Sequence, residues 1–348
     1  MTADRAYDVM AAPSALWTMH CADADAAGGT GALESLTLDA PLDELLARVR
    51  TGDGRLWVHL DATVPAQHAL LATHFGFHPL AIEDTLNPST RVKVEEYDGY
   101  LFAVVRGVSL NETTDDPYDL ATHDLHAFLL PRVLVTVSAG PHPAVLGIRD
   151  RVQRSPDVLG RGLDRLLHAL LDDIIDRYFP LLDRIDEFVD DVEERVFVNF
   201  DDSALRDIFQ VKRLVLSLRR HLAPQREVLG TLANRPSPLL SPAAQLYFRD
   251  VHDHVLRLHD GLDTYRDLLA STMESYLTQV SNRLGSTTKA LSVFATMSLP
   301  FVIVSGMWGM NFTRIPLAEW PGGFWLMLLL QLGAGVGLLA LLRWRRLI

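Results

Sequence analysis

Ala290 to Met310 is a run of 21 residues without a charge, and Phe324 to Leu342 is a second of 19. At about 1.5 Å rise per residue, either run as a helix spans the ~30 Å hydrocarbon core of a bilayer. Thirteen residues, Asn311 to Gly323, join them. Two spans so close together predict a transmembrane hairpin at the C-terminal end of this sequence. Every residue before Ala290 belongs to segments of soluble character.

The charge of those segments narrows their task. Removing the four arginines and one glutamate of residues 290–348 leaves 28 basic and 43 acidic side chains, a net charge near −15. Such a surface repels nucleic acid and gathers cations. Cys21 is the single cysteine, so no internal disulfide forms, which fits a reducing compartment. No apolar run resembling a signal peptide opens the sequence. Arg283 and Lys289 flank the first span, and Arg343, Arg345 and Arg346 follow the second; the joining loop holds only Arg314. The positive-inside rule then predicts a multi-pass plasma-membrane protein with both termini in the cytoplasm.

Along the chain, residues 1–13 read as disordered. RLWVHLDA (55–62), residues 92–110 and residues 123–140 are apolar and β-branched in strand fashion, while Pro65–Phe77 and His78–Leu86 read as short helices. Asp98-Gly99 and Pro131-Arg132 mark hairpin turns, so the domain contains antiparallel neighbours. From Gly162 strand signals cease. Residues 164–197 form one amphipathic pattern, with Pro180 inside it as a possible kink. A second helix is predicted from about Ser203 to Leu229.

Ser241-Pro242 has the form of an N-cap with proline at the first helical position. Beyond it Phe248, Val251, Val255, Leu258, Leu262, Tyr265, Leu269, Thr272 and Tyr276 recur at steps of three and four, a coiled-coil-like seam. Continued into the first span, this helix has about 70 residues and a length of ~100 Å. The alternative is two helices broken at Gly261 or Gly285.

No Walker loop, dinucleotide fingerprint or nucleophile elbow occurs, and no enzyme constellation is found. The informative feature is the end of the first span, Gly306-Met307-Trp308-Gly309-Met310-Asn311-Phe312. A carboxamide there accepts hydrogen bonds from metal-bound water without the full charge that would trap a divalent ion. Mg²⁺ sheds its waters reluctantly, so recognition of the hydrated ion is chemically apt. A plain helix cap at the membrane interface is the competing reading of Asn311.

Gly309-Met310-Asn311, after an apolar span containing Pro300, resembles the GMN signature of the CorA family of divalent-metal channels. His78-Pro79-Leu80-Ala81-Ile82-Glu83-Asp84 and Val92-Lys93-Val94-Glu95-Glu96-Tyr97 are similar to the family's soluble-domain motif. Tyr247 to His254 is similar to its stalk. The likeness extends over roughly residues 50–348. It implies an α+β cytoplasmic domain, long stalk helices and a two-helix transmembrane hairpin, assembled as a funnel-shaped homopentamer. The expected layout is a cytoplasmic α/β domain (1–160), a helical stalk (161–289), a pore-lining span (290–310), an external loop (311–323), a second span (324–342) and a basic tail (343–348).

The resemblance further implies a pore stripe of Thr288, Leu291, Ala295, Leu299, Val302 and Gly306, with Gly309, Met310 and Asn311 at the mouth. Packing of the stripe on neighbouring helices competes with that role, above all for Leu299 and Val302. It also implies regulatory divalent sites between subunits, with Glu83, Asp84, Asp172 and Asp250 at the matching positions; a solvated surface acid is the competing reading, stronger for Glu83 and Asp172, while function is favoured for Asp84 and Asp250. His252, Asp253, His254 and His259 admit a transition-metal reading, with Asp250 and His254 one turn apart, or that of a solvated stalk face. The implied function is Mg²⁺ transport, with Co²⁺ or Ni²⁺ as passengers and Mg²⁺ also the regulatory ion. No tightly bound cofactor is expected, and the partners are lipid, divalent cations and copies of the same chain. One departure is the loop FTRIPLAEWPGG, which sets Arg314 near the mouth with Glu319 as its one acid. Two alternatives stand: a zinc transporter of the same superfamily, and a membrane-tethered cytoplasmic sensor or scaffold.

Overall fold

The computed structural model describes residues 17–21, 33–36, 42–52, 54–88, 90–111, 113–114, 118–155, 157–197, 201, 203–310 and 320–345. The expected N-terminal tail (1–13), Asn311, Arg314, Glu319 and Arg346 lie outside these residues. The chain divides into two compact units, one of Met1–Arg195 with Asn199–Ser271, the other of Val196–Val198 with Thr272–Ile348.

In the first unit, seven strands make one mixed sheet. These are β1 (Trp17–Cys21), β2 (Leu33–Leu36), β3 (Arg55–Asp61), β4 (Lys93–Tyr97), β5 (Tyr100–Leu110), β6 (Leu120–Leu129) and β7 (Val133–Ser138). Their order is β2-β1-β3-β7-β6-β5-β4. Only β3 and β7 run parallel; the other neighbours are antiparallel. The turn residues explain the hairpins. Gly99 takes φ +85°, and Tyr97 pairs Tyr100 across the Asp98-Gly99 turn. Leu129 pairs Leu134 across Pro131-Arg132. Strands β1 and β2 and helix α1 (Leu42–Arg50) are not anticipated from sequence, although the buried Leu42, Leu45, Leu46 and Val49 of α1 keep the i, i+3, i+4, i+7 spacing of a helix face.

Alternation then sorts side chains between faces. Leu56, Val58 and Leu60 of β3 join Val133, Val135 and Val137 of β7, Phe102 and Phe128 in one core, closed by α1, α2 (Pro65–Thr73) and α3 (Pro79–Asp84). The opposite face carries Trp57, His59, Thr136 and Ser138. There Trp57 Nε1 donates to Thr136 Oγ1 at 3.0 Å, and His59 Nδ1 lies 3.0 Å from the same hydroxyl. Helices α4 (Pro143–Arg154), α5 (Asp157–Gly160) and α6 (Leu163–Asp176) pack with one another, and α6 also contacts β5, β6 and β7.

The single amphipathic pattern over 164–197 is two helices, α6 and α7 (Phe179–Phe197). Pro180 is the cause. It has no N–H to continue the ladder, and its ring crowds the carbonyl four residues back, at Asp176, where α6 ends. Helix α8 (Ala204–Asn234) tolerates Pro224 and runs five residues beyond the predicted Leu229.

Helix α9 (Pro242–Trp308) is continuous over 67 residues, with no break at Gly261 or Gly285. The Ser241 hydroxyl accepts from the Ala244 N–H at 3.1 Å and donates to Asp164, so the N-cap forms as read. Eight of the nine seam residues are buried; Tyr265 is partly exposed and donates its hydroxyl to Asp186 Oδ1 at 2.7 Å. Gly261 lets α7 approach, since a Cβ there would stand 2.9 Å from Leu182 Cδ2.

In the second unit, the C-terminal part of α9 packs against α10 (Gly323–Trp344). Both helices are long and apolar enough to cross a membrane. A Cβ at Gly335 would come within 2.8 Å of the Phe301 ring, so glycine permits the contact.

Candidate functional site

Two groups of side chains carry the candidate chemistry. The first lies on the membrane-spanning part of α9. Thr288, Leu291, Ala295, Leu299, Val302 and Gly306 are all exposed, with Leu299 at 58% and Val302 at 65%. Of the seven half-buried positions of the same segment, Val293, Met297, Phe301, Val304 and Trp308 fall on the opposite face, and Ser298 and Pro300 lie at its flanks. Phe301 meets Gly335 of α10, and Gln331 Nε2 reaches Ser305 Oγ at 3.4 Å. Helix α10 thus covers one side of α9 and leaves the six-residue stripe open. The stripe follows from sequence spacing, for steps of three and four keep residues on one helical face. Gly309 and Met310 are exposed just past the end of α9, and Asn311 lies beyond the described residues.

The second group lies in the sheet-bearing unit. Asp172 and Asp176 sit one turn apart on α6, and Asp250 and His254 one turn apart on α9. His254 bridges the helices: its Nδ1 is 3.3 Å from Asp176 Oδ1 and 3.9 Å from Asp172 Oδ1, and its Nε2 is 3.7 Å from Asp250 Oδ2. Ligand atoms of Asp172, Asp176 and His254 all lie within 4.8 Å of one another, the spacing a single ion can span. Burial pushes the Asp172 carboxyl above the usual range, and the neighbouring charge of Asp176 adds to it. A divalent cation would relieve both penalties.

Of the four acids matched to regulatory sites, Asp172 and Asp250 meet at this cluster. Asp84 is engaged differently: its Oδ2 accepts from Lys93 Nζ at 2.8 Å, and Glu95 shares that ammonium at 2.9 Å. Glu83 is exposed on α3. Asp176 is a residue the sequence reading missed. Its signal is present, a second acid at the i+4 position from Asp172, but in a stretch this rich in acids the spacing alone does not distinguish it. His252 lies against Gly230 of α8, and His259 Nδ1 is 3.6 Å from Asp263, so neither joins the cluster.

Residues 52–345 match the family described as CorA-like Mg²⁺ transporter protein. The chain is similar to the cobalt/magnesium transport protein CorA of Thermotoga maritima, 32% identical over 256 residues, 72% of this chain and 71% of that one. It is similar to the protein YfjQ of Bacillus subtilis, 30% identical over 283 residues, 81% of this chain and 86% of that one. Among solved structures, the complete CorA magnesium transporter of Methanocaldococcus jannaschii superposes with a TM-score of 0.78 at 20% identity, over 96% of this chain and 98% of that one, a likeness of fold.

Proposed function

The chain belongs to the CorA-like Mg²⁺ transporter family, a family of transporters and not of enzymes, and from that premise we propose that it is a Mg²⁺ channel that also passes Co²⁺ and Ni²⁺. The pore needs several copies, because two spans from one chain cannot enclose a water-filled path; the number five rests on the family resemblance. What supports this reading is the open stripe from Thr288 to Gly306, which the chain's own α10 leaves uncovered. Asn311, with Gly309 and Met310, forms the mouth and holds the ion through its water shell. Leu299 and Val302 are the apolar constriction, closed by dewetting.

By the positive-inside rule, Arg283, Lys289, Arg343 and Arg345 at the span ends support a cytoplasmic sheet-bearing unit. Inward flux then needs no nucleotide. An inside-negative potential contributes ~4.6 kcal/mol per 100 mV to each divalent ion, twice the single-charge value. Cytoplasmic Mg²⁺ bound at Asp172 and Asp250, and at Glu83 and Asp84 against a neighbouring copy, holds the closed state. Carboxylates that repel when empty are bridged when filled, so the product of transport limits transport.

The deciding experiment is uptake into proteoliposomes loaded with a Mg²⁺-sensitive dye, under an imposed potential, for wild type and Asn311→Ala. Entry that grows with inside-negative potential and is lost in the variant is the expected result. Zn²⁺ entry that follows a pH gradient, without Mg²⁺ entry, would move the protein to a zinc transporter. Absence of flux for either ion in intact oligomers would favour a tethered sensor.

A further inference from the structure

The break at Pro180 has a second consequence. Where α6 ends and α7 begins, a cavity of about 510 Å³ opens between the helix junction, the ends of β5 and β6, and the start of α4. This lies within the roughly 300–1,000 Å³ of small-molecule pockets. Its polar lining includes Ser109, His123, His142, Arg177 and Arg184, and its walls are Val108, Leu110, Ile174, Pro180 and Leu181. No carboxylate lines it among the described residues, although the chain as a whole carries a net charge of −12.

Two arginines and a buried histidine supply the hydrogen-bond donors of the site. Arg177 is held in place by Asp173, whose Oδ2 accepts from its Nε at 2.7 Å. Arg184 is exposed and makes no ion pair among the described residues. His142 is the N-cap of α4, and Pro143, which also lines the cavity, has no N–H to offer. His142 itself is 3% exposed, and both its ring nitrogens are buried without a hydrogen-bond partner; it faces the His123 backbone in a geometry that closes no bond. Burial, and then the neighbouring His123, His59 and Arg177, push its pKa down to about 3, so the ring is neutral. It keeps one buried N–H donor that no described group receives.

We propose that this cavity binds an organic oxyanion, a phosphate or carboxylate carried on an apolar body. Arginine forks match the paired oxygens of either group. The apolar walls select a body over the bare ion. The site differs in residues and in sign of charge from the Asp172–His254 cluster, so it goes beyond the transport reading.

The test is calorimetric titration of the full-length protein in nanodiscs with AMP, phenylacetate and inorganic phosphate. Buffer free of divalent cations keeps metal-bridged binding out of the signal. Saturable binding of AMP or phenylacetate, weaker by tenfold or more in Arg184→Gln, is the expected result. Inorganic phosphate should bind more weakly than AMP. Tighter binding of AMP than of phenylacetate assigns phosphate as the charged group, and the reverse order assigns carboxylate. Arg184 is exposed, so its variant folds, and melting of the unliganded variant checks that it does. Lack of saturation by both organic anions at millimolar concentration would overturn the proposal, as would affinities unchanged in Arg184→Gln. Neither result bears on Mg²⁺ flux.

Discussion

His254 and Asp176 face each other across α9 and α6 with 3.3 Å between Nδ1 and Oδ1. An imidazole among carboxylates changes what the cluster prefers. Mg²⁺ takes oxygen ligands, whereas Co²⁺ and Ni²⁺ accept nitrogen readily. Saturating metal at 100 times its dissociation constant raises stability by about 2.7 kcal/mol. In His254→Ala the rise in melting temperature given by Ni²⁺ should shrink by more than half, while that given by Mg²⁺ stays close to wild type. In Asp172→Asn both should shrink, and the metal-free protein should melt higher, because a crowded buried charge has gone. Equal loss of the two metals in His254→Ala would remove the imidazole from the ligand set.

Stability should fall with acid from pH 6.5 downward. Burial outweighs the attraction of Asp61 and lowers the His59 pKa from 6.5 to about 4. Unfolded chains therefore take up a proton that the folded chain refuses. The contribution is fully present above pH 6.5 and is lost as pH falls towards 4. At ~1.4 kcal/mol per pKa unit, it amounts to roughly 3 kcal/mol. His142, lowered to about 3, adds a loss of the same sign. Melting temperatures of the full-length protein measured from pH 7 to pH 4 should show the slope, and His59→Gln should flatten it. An unchanged slope in that variant would locate the acid sensitivity elsewhere.

Leu299 and Val302 are exposed on the open face of α9, at 58% and 65%. If they close the pore by excluding water, a hydroxyl at either site lowers the barrier to wetting. Leu299→Ser and Val302→Thr should raise basal Mg²⁺ entry several-fold at cytoplasmic Mg²⁺ levels that silence wild type. Flux at or below wild type in both variants, in oligomers of unchanged mass, would assign the pair to helix packing.

Much of this arrangement is written locally in the chain. Uncharged runs gave the spans, Gly99 and Pro131 gave the hairpins, and steps of three and four gave the α9 seam. Each rests on neighbours within one or two turns. What escaped reading depends on distant partners. β1 and β2 form an edge whose register is set by β3. Asp176 acquires meaning only because α9 brings His254 beside it, 78 positions later. The cavity beside Pro180 depends on where two helices part, and its character comes from Arg177 and Arg184 on either side of that break. Pro180, Pro224 and Pro300 also show the reach of a local rule: the first ends a helix, while the other two sit inside continuous ones.

Glycines on α10 offer a last test, with its control built in. A Cβ at Gly335 would lie 2.8 Å from Phe301 Cζ, whereas nothing lies within 4 Å of one at Gly333 or Gly337. An aromatic ring wedged between two helices has no small rotation that makes room, so Gly335→Val overpacks the hairpin at a cost of about 1–3 kcal/mol. At Gly261 the obstacle is the end of the flexible Leu182 side chain, which rotates aside, so Gly261→Ala should cost less. Chemical unfolding in detergent should rank Gly335→Val as the most destabilising, with Gly333→Ala and Gly337→Ala near wild type. Losses at 333 and 337 equal to that at 335 would mean that these glycines meet another copy of the chain, and the intrachain account of Gly335 would lose its support.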